Sequence, residues 1–205
     1  MHGRRLTRSR GNPEVIEFNE QDHSYHSQGV RYPSVTNILA AEGFYGDAAA
    51  YFTEYSRDRG RFVHKIIQYH IEGVLDESTI DPVLRPYYDA WLSFERDTGF
   101  VSERCEMPIA SDLYKVAGTP DHVGRLNECF AIVDVKTGVM NPVTGVQLAA
   151  YELLLNVSSA KRFGLQLKDS GKYSLKEYKD RTDRGIFLAA LSIYQWKKNN
   201  NIRRG

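Results

Sequence analysis

A short apolar run, residues 132–136, limits the possible folds more than any other part of the chain, and it contains the pattern Asp134-Val135-Lys136. The run is rich in β-branched residues and is closed by Thr137-Gly138, which together predict a buried β-strand. Side chains alternate along a strand, so Asp134 and Lys136 share one face and Val135 points to the other. The sequence therefore predicts two opposite charges, side by side, at the end of a buried strand.

A third charged residue is predicted to lie next to this pair. The turn-like segment Gly118-Thr119-Pro120 leads into Asp121, and Asn127-Glu128 is a plausible hairpin turn between the strand after Asp121 and the strand of Asp134. Such a hairpin would bring Asp121, Asp134 and Lys136 together at one point of a sheet.

Two carboxylates and an ammonium group suit metal-assisted hydrolysis. Carboxylate oxygens are hard ligands for Mg²⁺ or Mn²⁺, and such an ion lowers the pKa of a bound water. A lysine can neutralise the charge that develops or help to orient and deprotonate the water. A lone Asp-x-Lys is more often a surface ion pair. Here the preceding apolar run, the Gly-x-x-Asp upstream and the Gln-x-x-x-Tyr downstream favour catalysis.

Five motifs in order resemble those of the PD-(D/E)XK nucleases, in the branch related to the RecB nuclease domain. The motifs are Gly60-Arg-Phe-Val-His64, Glu106-Met-Pro-Ile, Gly118-Thr-Pro-Asp121, Asp134-Val-Lys136 and Gln147…Tyr151. Residues 33–39 also resemble the opening helix of phage-encoded members. The matched region runs from residue 32 to residue 151, which is more than half of the chain.

The resemblance implies a role for each matched residue. The metal would be held by His64, Asp121, Asp134 and the carbonyl of Val135. Lys136 would be the catalytic lysine, with Glu106 orienting it or assisting a second metal ion.

Two further residues are implied to contact or support the substrate. Gln147 and Tyr151 are four residues apart and share a helix face. Gln147 would contact a phosphate or a base, and Tyr151 would pack beside the site. Without the resemblance, Gln147 would be a solvated helix position and His64 a structural residue on an apolar helix face.

The implied fold is α/β, a restriction-endonuclease-like core with a mixed central β-sheet flanked by helices and N-terminal helical additions. The implied function is that of a metal-dependent deoxyribonuclease, an exonuclease acting on DNA ends or single strands in recombination, repair or phage DNA processing. Two alternatives stay open: a Mn²⁺-dependent RNA endonuclease of the cap-snatching type, and an inactive nucleic-acid-binding module. The intact Asp121, Asp134 and Lys136 argue against the second alternative.

Composition sets the remaining expectations. At 205 residues with a 41% hydrophobic fraction, we expect one nuclease domain over residues 13–199. The net charge is +1, but residues 1–10 and 197–205 each carry +4, so the rest of the chain carries −7. We therefore predict a flexible basic arm, residues 1–12, and a basic tail, residues 200–205. An acidic middle suits a metal site.

The chain shows no apolar membrane or signal segment, which predicts a cytoplasmic protein of a bacterium or a phage-infected host cell. DNA is the expected partner, and the sequence does not indicate protein partners. Cys105 and Cys129 are too few for the four-cysteine iron–sulfur cluster that some RecB-like relatives carry, so no such cluster is expected.

Local patterns also predict element boundaries. A helical stretch with a break near Gly60 should end at Glu72. A second helix should open at Asp81-Pro82 and end before Gly99, with its aromatic stripe in the core. One strand is expected over residues 100–110.

Overall fold

The protein is seen in a computed structural model that describes residues 5–9, 12–19, 24–27, 29–46 and 53–202. Five α-helices are formed by the described residues: α1 (Val35–Ala41), α2 (Glu54–Ile71), α3 (Arg85–Thr98), α4 (Val143–Leu154) and α5 (Thr182–Asn199). The strands before α3 are β1 (Arg5–Ser9), β2 (Asn12–Asn19), β3 (Ser24–Ser27) and β4 (Val30–Tyr32). The later strands are β5 (Val101–Cys105), β6 (Ile109–Ser111), β7 (Val116–Gly118), β8 (His122–Leu126), β9 (Cys129–Lys136), β10 (Lys161–Leu167) and β11 (Tyr173–Glu177).

The central sheet has five strands in the order β11-β10-β9-β8-β5. Strands β9 and β10 are parallel, with α4 as the crossover between them, and the other neighbours in this sheet are antiparallel. Strands β1–β4 form a separate antiparallel sheet, and β6 and β7 form a two-stranded ribbon. The predicted α/β fold with a mixed central sheet is confirmed.

Helices cover both faces of the central sheet. Apolar residues of α1, α4 and α5 pack in one core cluster with Val123 and Ile132 of the sheet. Residues of α2 and α3 pack in a second cluster with Val133, Val135 and Leu165. The alternation along β9 thus sends Ile132 to one layer and Val133 to the other, as expected for a strand buried on both faces.

Two helix boundaries differ from the prediction. Helix α2 runs through Gly60 without a break, because its amphipathic pattern continues past that glycine. Helix α3 begins at Arg85 rather than at Asp81-Pro82, and Pro86 is the proline of its first turn. The end of α3 is as predicted, with Gly99 in the left-handed conformation at φ 63°. The stripe of Tyr87, Tyr88, Trp91 and Phe94 is buried, as expected for core.

The single strand predicted over residues 100–110 is instead two strands, β5 and β6. The chain turns at Glu106, whose φ is +48°, and the Glu106 backbone N–H donates to the Asp121 carbonyl oxygen at 2.9 Å. A backbone in the left-handed region is uncommon for a non-glycine residue, and it ends the strand pairing here. This turn decides where the Glu106 side chain points.

The predicted basic ends are described only in part. Within the arm, residues 5–9 form β1, which pairs with β2, while residues 1–4 and 10–11 lie outside the described residues. In the tail, Asn200–Ile202 are described and residues 203–205 are not. The domain limits stay a prediction. In the described part of the chain, no helix combines the length and the apolar character that a membrane crossing requires.

Candidate active site

The β8–β9 hairpin places two carboxylates at the same end of the central sheet. His122 pairs with Val133, so Asp121, one residue before β8, lies beside Asp134 of β9. The Asp121 Oδ2 atom accepts a hydrogen bond of 2.7 Å from the Val135 backbone N–H, which holds this carboxylate against β9. Asn127 and Glu128 form the turn with positive φ angles of 48° and 64°. The turn predicted at these two residues is confirmed, and it fixes the register that joins the carboxylates.

Asp134 and Lys136 lie on one face of β9, and the structure joins them in an ion pair. The Lys136 Nζ is 2.6 Å from Asp134 Oδ2, and Asp134 is only 1% exposed. Burial raises the pKa of Asp134 to about 6, although Lys136 opposes the shift. Burial alone would lower the pKa of Lys136, but Asp134 and Asp121 raise it above its usual value. The ammonium is therefore held charged next to two carboxylates.

Helix α2 supplies the third component of the site, His64. Its Nδ1 is 2.8 Å from Glu106 Oε1 and 3.7 Å from Asp121 Oδ1, and its Nε2 is 3.1 Å from the Val135 carbonyl oxygen. Both ring nitrogens therefore face acceptors, so the protonated ring donates to both sides. Burial alone would lower the pKa of His64, but Asp121 and Glu106 raise it to about 9.

Helix α2 is fixed against the end of β9 near this histidine. Arg59 Nη2 donates to the Thr137 carbonyl oxygen at 3.2 Å, one residue beyond Lys136. An ideal Cβ built on Gly60 would lie 3.6 Å from Thr137 Oγ1, so α2 passes close to the strand at this point. The crossing of α2 over the end of β9 is what carries His64 to Asp121.

The donor set fits a divalent cation. His64, Glu106 and Asp121 each offer one ligand atom, and these atoms lie within 4.8 Å of one another. Apart from the ion pair with Lys136, neither buried carboxylate oxygen of Asp134 has a hydrogen-bond partner among the described residues. Carboxylate oxygens with one imidazole are a suitable ligand set for Mn²⁺ or Mg²⁺. The His64 ring would have to lose a proton before it could bind the cation, since only deprotonated imidazole coordinates a metal.

In the structure, the predicted site residues contact each other in a different combination from the predicted ligand set. Glu106, expected to orient Lys136 or assist a second metal, instead contacts His64 and belongs to the three-residue cluster. Asp134, expected as a ligand, lies beside Asp121 but is paired with Lys136. The Val135 carbonyl oxygen contacts His64. The individual roles of these residues stay predictions.

Gln147 and Tyr151 form a buried pair on α4. Gln147 is 8% exposed, not solvated, and its Nε2 donates to the Tyr151 hydroxyl at 3.1 Å. Burial raises the pKa of Tyr151 well above its usual value, with a further contribution from the Asp121 charge. The Tyr151 ring would lie 2.8 Å from a Cβ at Gly118, so a glycine is needed there for this packing. Tyr151 therefore packs beside Gly118, three residues before Asp121.

Two tyrosines that the sequence did not single out also lie near the site. The Tyr25 hydroxyl is 2.8 Å from Thr119 Oγ1. Burial raises the pKa of Tyr25, the hydrogen bond to Thr119 opposes the shift, and the Glu106 charge adds to it. Burial raises the pKa of Tyr45, whose hydroxyl is also under the influence of Lys136 and Asp134. Both come from segments far away in sequence, and neither belongs to a motif that could have indicated it.

Comparison with known proteins supports the fold. No family model and no curated protein matches the sequence. Among solved structures, the chain is similar to a candidate exonuclease from Eubacterium rectale, with a TM-score of 0.56 and 13% identity over 84% of this chain and 83% of that one. It also matches an alkaline exonuclease from Laribacter hongkongensis, with a TM-score of 0.38 and 13% identity over 84% of this chain and 95% of that one. A further match is the same exonuclease in complex with dAMP, with a TM-score of 0.37 and 14% identity over 83% and 93% of the two chains.

The chain shares its fold with the Eubacterium rectale protein. An identity of 13% does not carry an activity from one chain to another, and the two weaker structural matches add no argument. What the site does must therefore be argued from its own residues.

Proposed function

We propose that this chain is a metal-dependent deoxyribonuclease that hydrolyses phosphodiester bonds. The observation that carries the proposal is the cluster of His64, Glu106 and Asp121 next to the ion pair of Lys136 with the buried Asp134. Burying a charged side chain costs free energy unless the charge is paired, and clusters of such side chains are typical of functional sites. Here five charged residues with partly or fully buried side chains converge at one end of a sheet. The fold supports the proposal, since it is shared with a candidate exonuclease.

Each residue of the site would have a role that follows from its chemistry. His64, Asp121 and Glu106 would hold the cation, with Asp134 and the Val135 carbonyl as further oxygen donors. A bound Mg²⁺ or Mn²⁺ would supply Lewis acidity toward a phosphoryl oxygen and lower the pKa of a water. Lys136, held charged by Asp134, would stabilise the negative charge that develops on the phosphate. Gln147 and Tyr151 would support the substrate beside the cluster.

The proposed substrate is DNA, attacked from an end or as a single strand, in recombination, repair or phage DNA processing. The two alternatives make different demands on the same site. An RNA endonuclease would use the same His, acids and Lys with Mn²⁺, whereas an inactive module would bind nucleic acid without cleaving it. No feature of the described residues favours either alternative over the DNA nuclease.

The test is digestion of single- and double-stranded DNA labelled at the 5′ or the 3′ end, with RNA in parallel, in Mg²⁺, Mn²⁺ or EDTA. We expect metal-dependent cleavage of DNA that EDTA abolishes and that Asp134→Ala and Lys136→Ala each remove. The matched controls are Asp169→Ala and Lys176→Ala, which change exposed residues of the same types. Cleavage of RNA alone would assign the alternative substrate, and binding without cleavage would assign the inactive module.

A further inference from the structure

One face of α2 presents two rows of exposed side chains beside the candidate active site. The aromatic row consists of Tyr55, Phe62 and Tyr69, which are 63%, 51% and 39% exposed. The cationic row consists of Arg57, Arg61 and Lys65, all exposed. Single exposed aromatic residues are ordinary on a protein surface, but three in register on one helix are not explained by packing in the described structure.

The spacing of each row follows the helix. The aromatic residues are seven apart, which is almost two turns, so they form one stripe about 21 Å long. The cations are four apart, so they form a second stripe that winds slowly around the helix.

The cationic row lies between the aromatic row and the catalytic cluster. With His64 at zero and about 100° for each residue, Arg57, Arg61 and Lys65 lie at about 20°, 60° and 100°. On the same scale Tyr69, Phe62 and Tyr55 lie at about 140°, 160° and 180°. A chain following α2 would thus meet charge close to the site and flat rings farther from it.

The two rows are in physical contact. The Arg61 guanidinium is 5.4 Å from the centre of the Phe62 ring, and the Lys65 ammonium is 4.9 Å from the centre of the Tyr69 ring. Alternating positive charge and aromatic surface is the pattern that binds single-stranded nucleic acid, with cations on phosphates and rings under bases. A protein partner that buried this face would have to desolvate the cations as well as the rings.

Two acids, Glu54 and Asp58, also lie on this face and lower its net charge. Asp58 Oδ1 is 3.1 Å from Arg61 Nη2, and both side chains are well exposed. An exposed ion pair of this kind contributes little to stability, so a phosphate can replace the carboxylate at small cost. Asp58 would therefore compete with a phosphate for the ion pair with Arg61.

We infer that this face of α2 is a binding track for single-stranded nucleic acid that leads the strand to the His64 cluster. The inference rests on the proposed function and specifies its substrate as an unpaired strand. Phosphates lie along Arg57, Arg61 and Lys65, and bases stack on Phe62 and its two aromatic neighbours. Because duplex DNA keeps its bases stacked on each other, it gains nothing from the aromatic row.

Binding is measured in EDTA by fluorescence anisotropy, with labelled oligothymidylate, oligouridylate and a DNA duplex as probes. The variant with Tyr55→Ala, Phe62→Ala and Tyr69→Ala should bind both single strands more than about tenfold more weakly, because stacking on each base is lost. Its affinity for the duplex should stay within about twofold of the wild type. The matched control is Trp196→Ala, which removes a ring that is 59% exposed on α5 and should leave all affinities unchanged.

The second variant carries Arg57→Gln, Arg61→Gln and Lys65→Gln. The slope of log K against log salt for a single strand should fall by about 2, because each lost phosphate contact contributes about 0.7. Removing three exposed cations elsewhere, with Lys172→Gln, Lys176→Gln and Arg184→Gln, should leave the slope unchanged. Asp58→Asn should tighten binding, since it removes the competitor of Arg61.

The outcomes separate the track from the nuclease proposal. If the aromatic variant binds single strands like the wild type, the track is wrong, while metal-dependent cleavage by the wild type still stands. If the wild type neither binds nor cleaves any probe, the proposed function fails and the track fails with it. A wild-type dimer that the aromatic variant loses, with strand binding unchanged, would make this face a protein interface instead. If the aromatic variant binds oligothymidylate and oligouridylate more weakly by the same factor, the track recognises an unpaired strand with either sugar, as proposed. The cleavage assay then shows whether DNA or RNA is the substrate.

Discussion

Asp121 and His122 are neighbours in the chain, but their side chains lie in opposite environments. Asp121 belongs to the candidate active-site cluster, where burial raises its pKa and the charge of His64 opposes the rise. His122 is 2% exposed among aromatic rings, with its ring centre 4.6 Å from that of Trp91. Its Nδ1 has one polar partner, Ser102 Oγ at 3.1 Å.

His64 of α2 and His122, which packs against Trp91 of α3, show what this difference does. Burial, assisted by the charge of His64, lowers the pKa of His122 to about 3. Around His64, two carboxylates outweigh the same effect of burial and raise the pKa to about 9. Burial alone therefore does not decide the charge of a histidine, because the charges next to it can reverse the sign. The carboxylates around His64 keep its ring charged, and the aromatic surroundings of His122 keep that ring neutral.

The strongest effect is expected at the candidate active site. Asp121→Asn should lower the cleavage rate by about 1000-fold, equivalent to ~4 kcal/mol of transition-state stabilisation, because an amide cannot replace a carboxylate ligand. The free energy of unfolding in EDTA should stay within about 1 kcal/mol of the wild type, since the amide oxygen can still accept the Val135 N–H. Single-turnover cleavage and urea unfolding measure the two quantities, with Asp169→Asn as the control. Cleavage at the wild-type rate by Asp121→Asn would show that Asp121 is not needed for the reaction.

The next residue should show the reverse behaviour. His122→Ala should lower the free energy of unfolding by about 3 kcal/mol, because it leaves a cavity next to Trp91 and Phe100. The cleavage rate per folded molecule should change less than about threefold at a temperature where the variant is folded. A loss of cleavage without a loss of stability would contradict the distinction between the two environments.

The pH dependence of stability should also be traced to His122. An unfolded histidine titrates near pH 6.5, whereas the folded His122 stays neutral down to about pH 3, so only the unfolded chain gains a proton between these values. The contribution of His122 to the stability therefore falls as pH drops through this window, by about 2 kcal/mol at pH 5. Urea unfolding of wild type and His122→Phe in EDTA, at pH 7 and pH 5, gives the comparison. The variant should lose about 2 kcal/mol less between the two pH values.

The smallest effect concerns metal preference at His64. Imidazole is a borderline ligand, which Mn²⁺ accepts more readily than Mg²⁺ does. His64→Ala should therefore weaken Mn²⁺ binding by about tenfold and Mg²⁺ binding by less, measured by calorimetric titration. His70→Ala is the matched control, since His70 lies on the same helix but is paired with Glu95 and Tyr88. Unchanged affinity for both metals in His64→Ala would make His64 a packing residue.

Much of the fold and part of the site follow from local sequence. The apolar run of residues 132–136 is a strand in the structure, and the period of two along it places Asp134 and Lys136 on one face. Asn127-Glu128 forms the predicted turn. Ser34 caps the N-terminus of α1, because its side chain accepts a hydrogen bond from the Asn37 backbone N–H. These features depend on residues within a few positions of each other, so the pattern of the chain is enough to predict them.

Other features follow from contacts between segments that are far apart in sequence. His64 meets Glu106 across 42 positions and the Val135 carbonyl across 71 positions, and the crossing of α2 over β9 decides both contacts. The turn at Glu106 and the burial of Gln147 against Tyr151 likewise depend on neighbours that no local pattern specifies. Strand periodicity is a local property, so the pattern of the chain was enough to predict which strand carries the acid and the lysine. Electrostatic interactions depend on distance in space rather than along the chain, so the folded arrangement was needed to show which charges face each other and which histidine is charged.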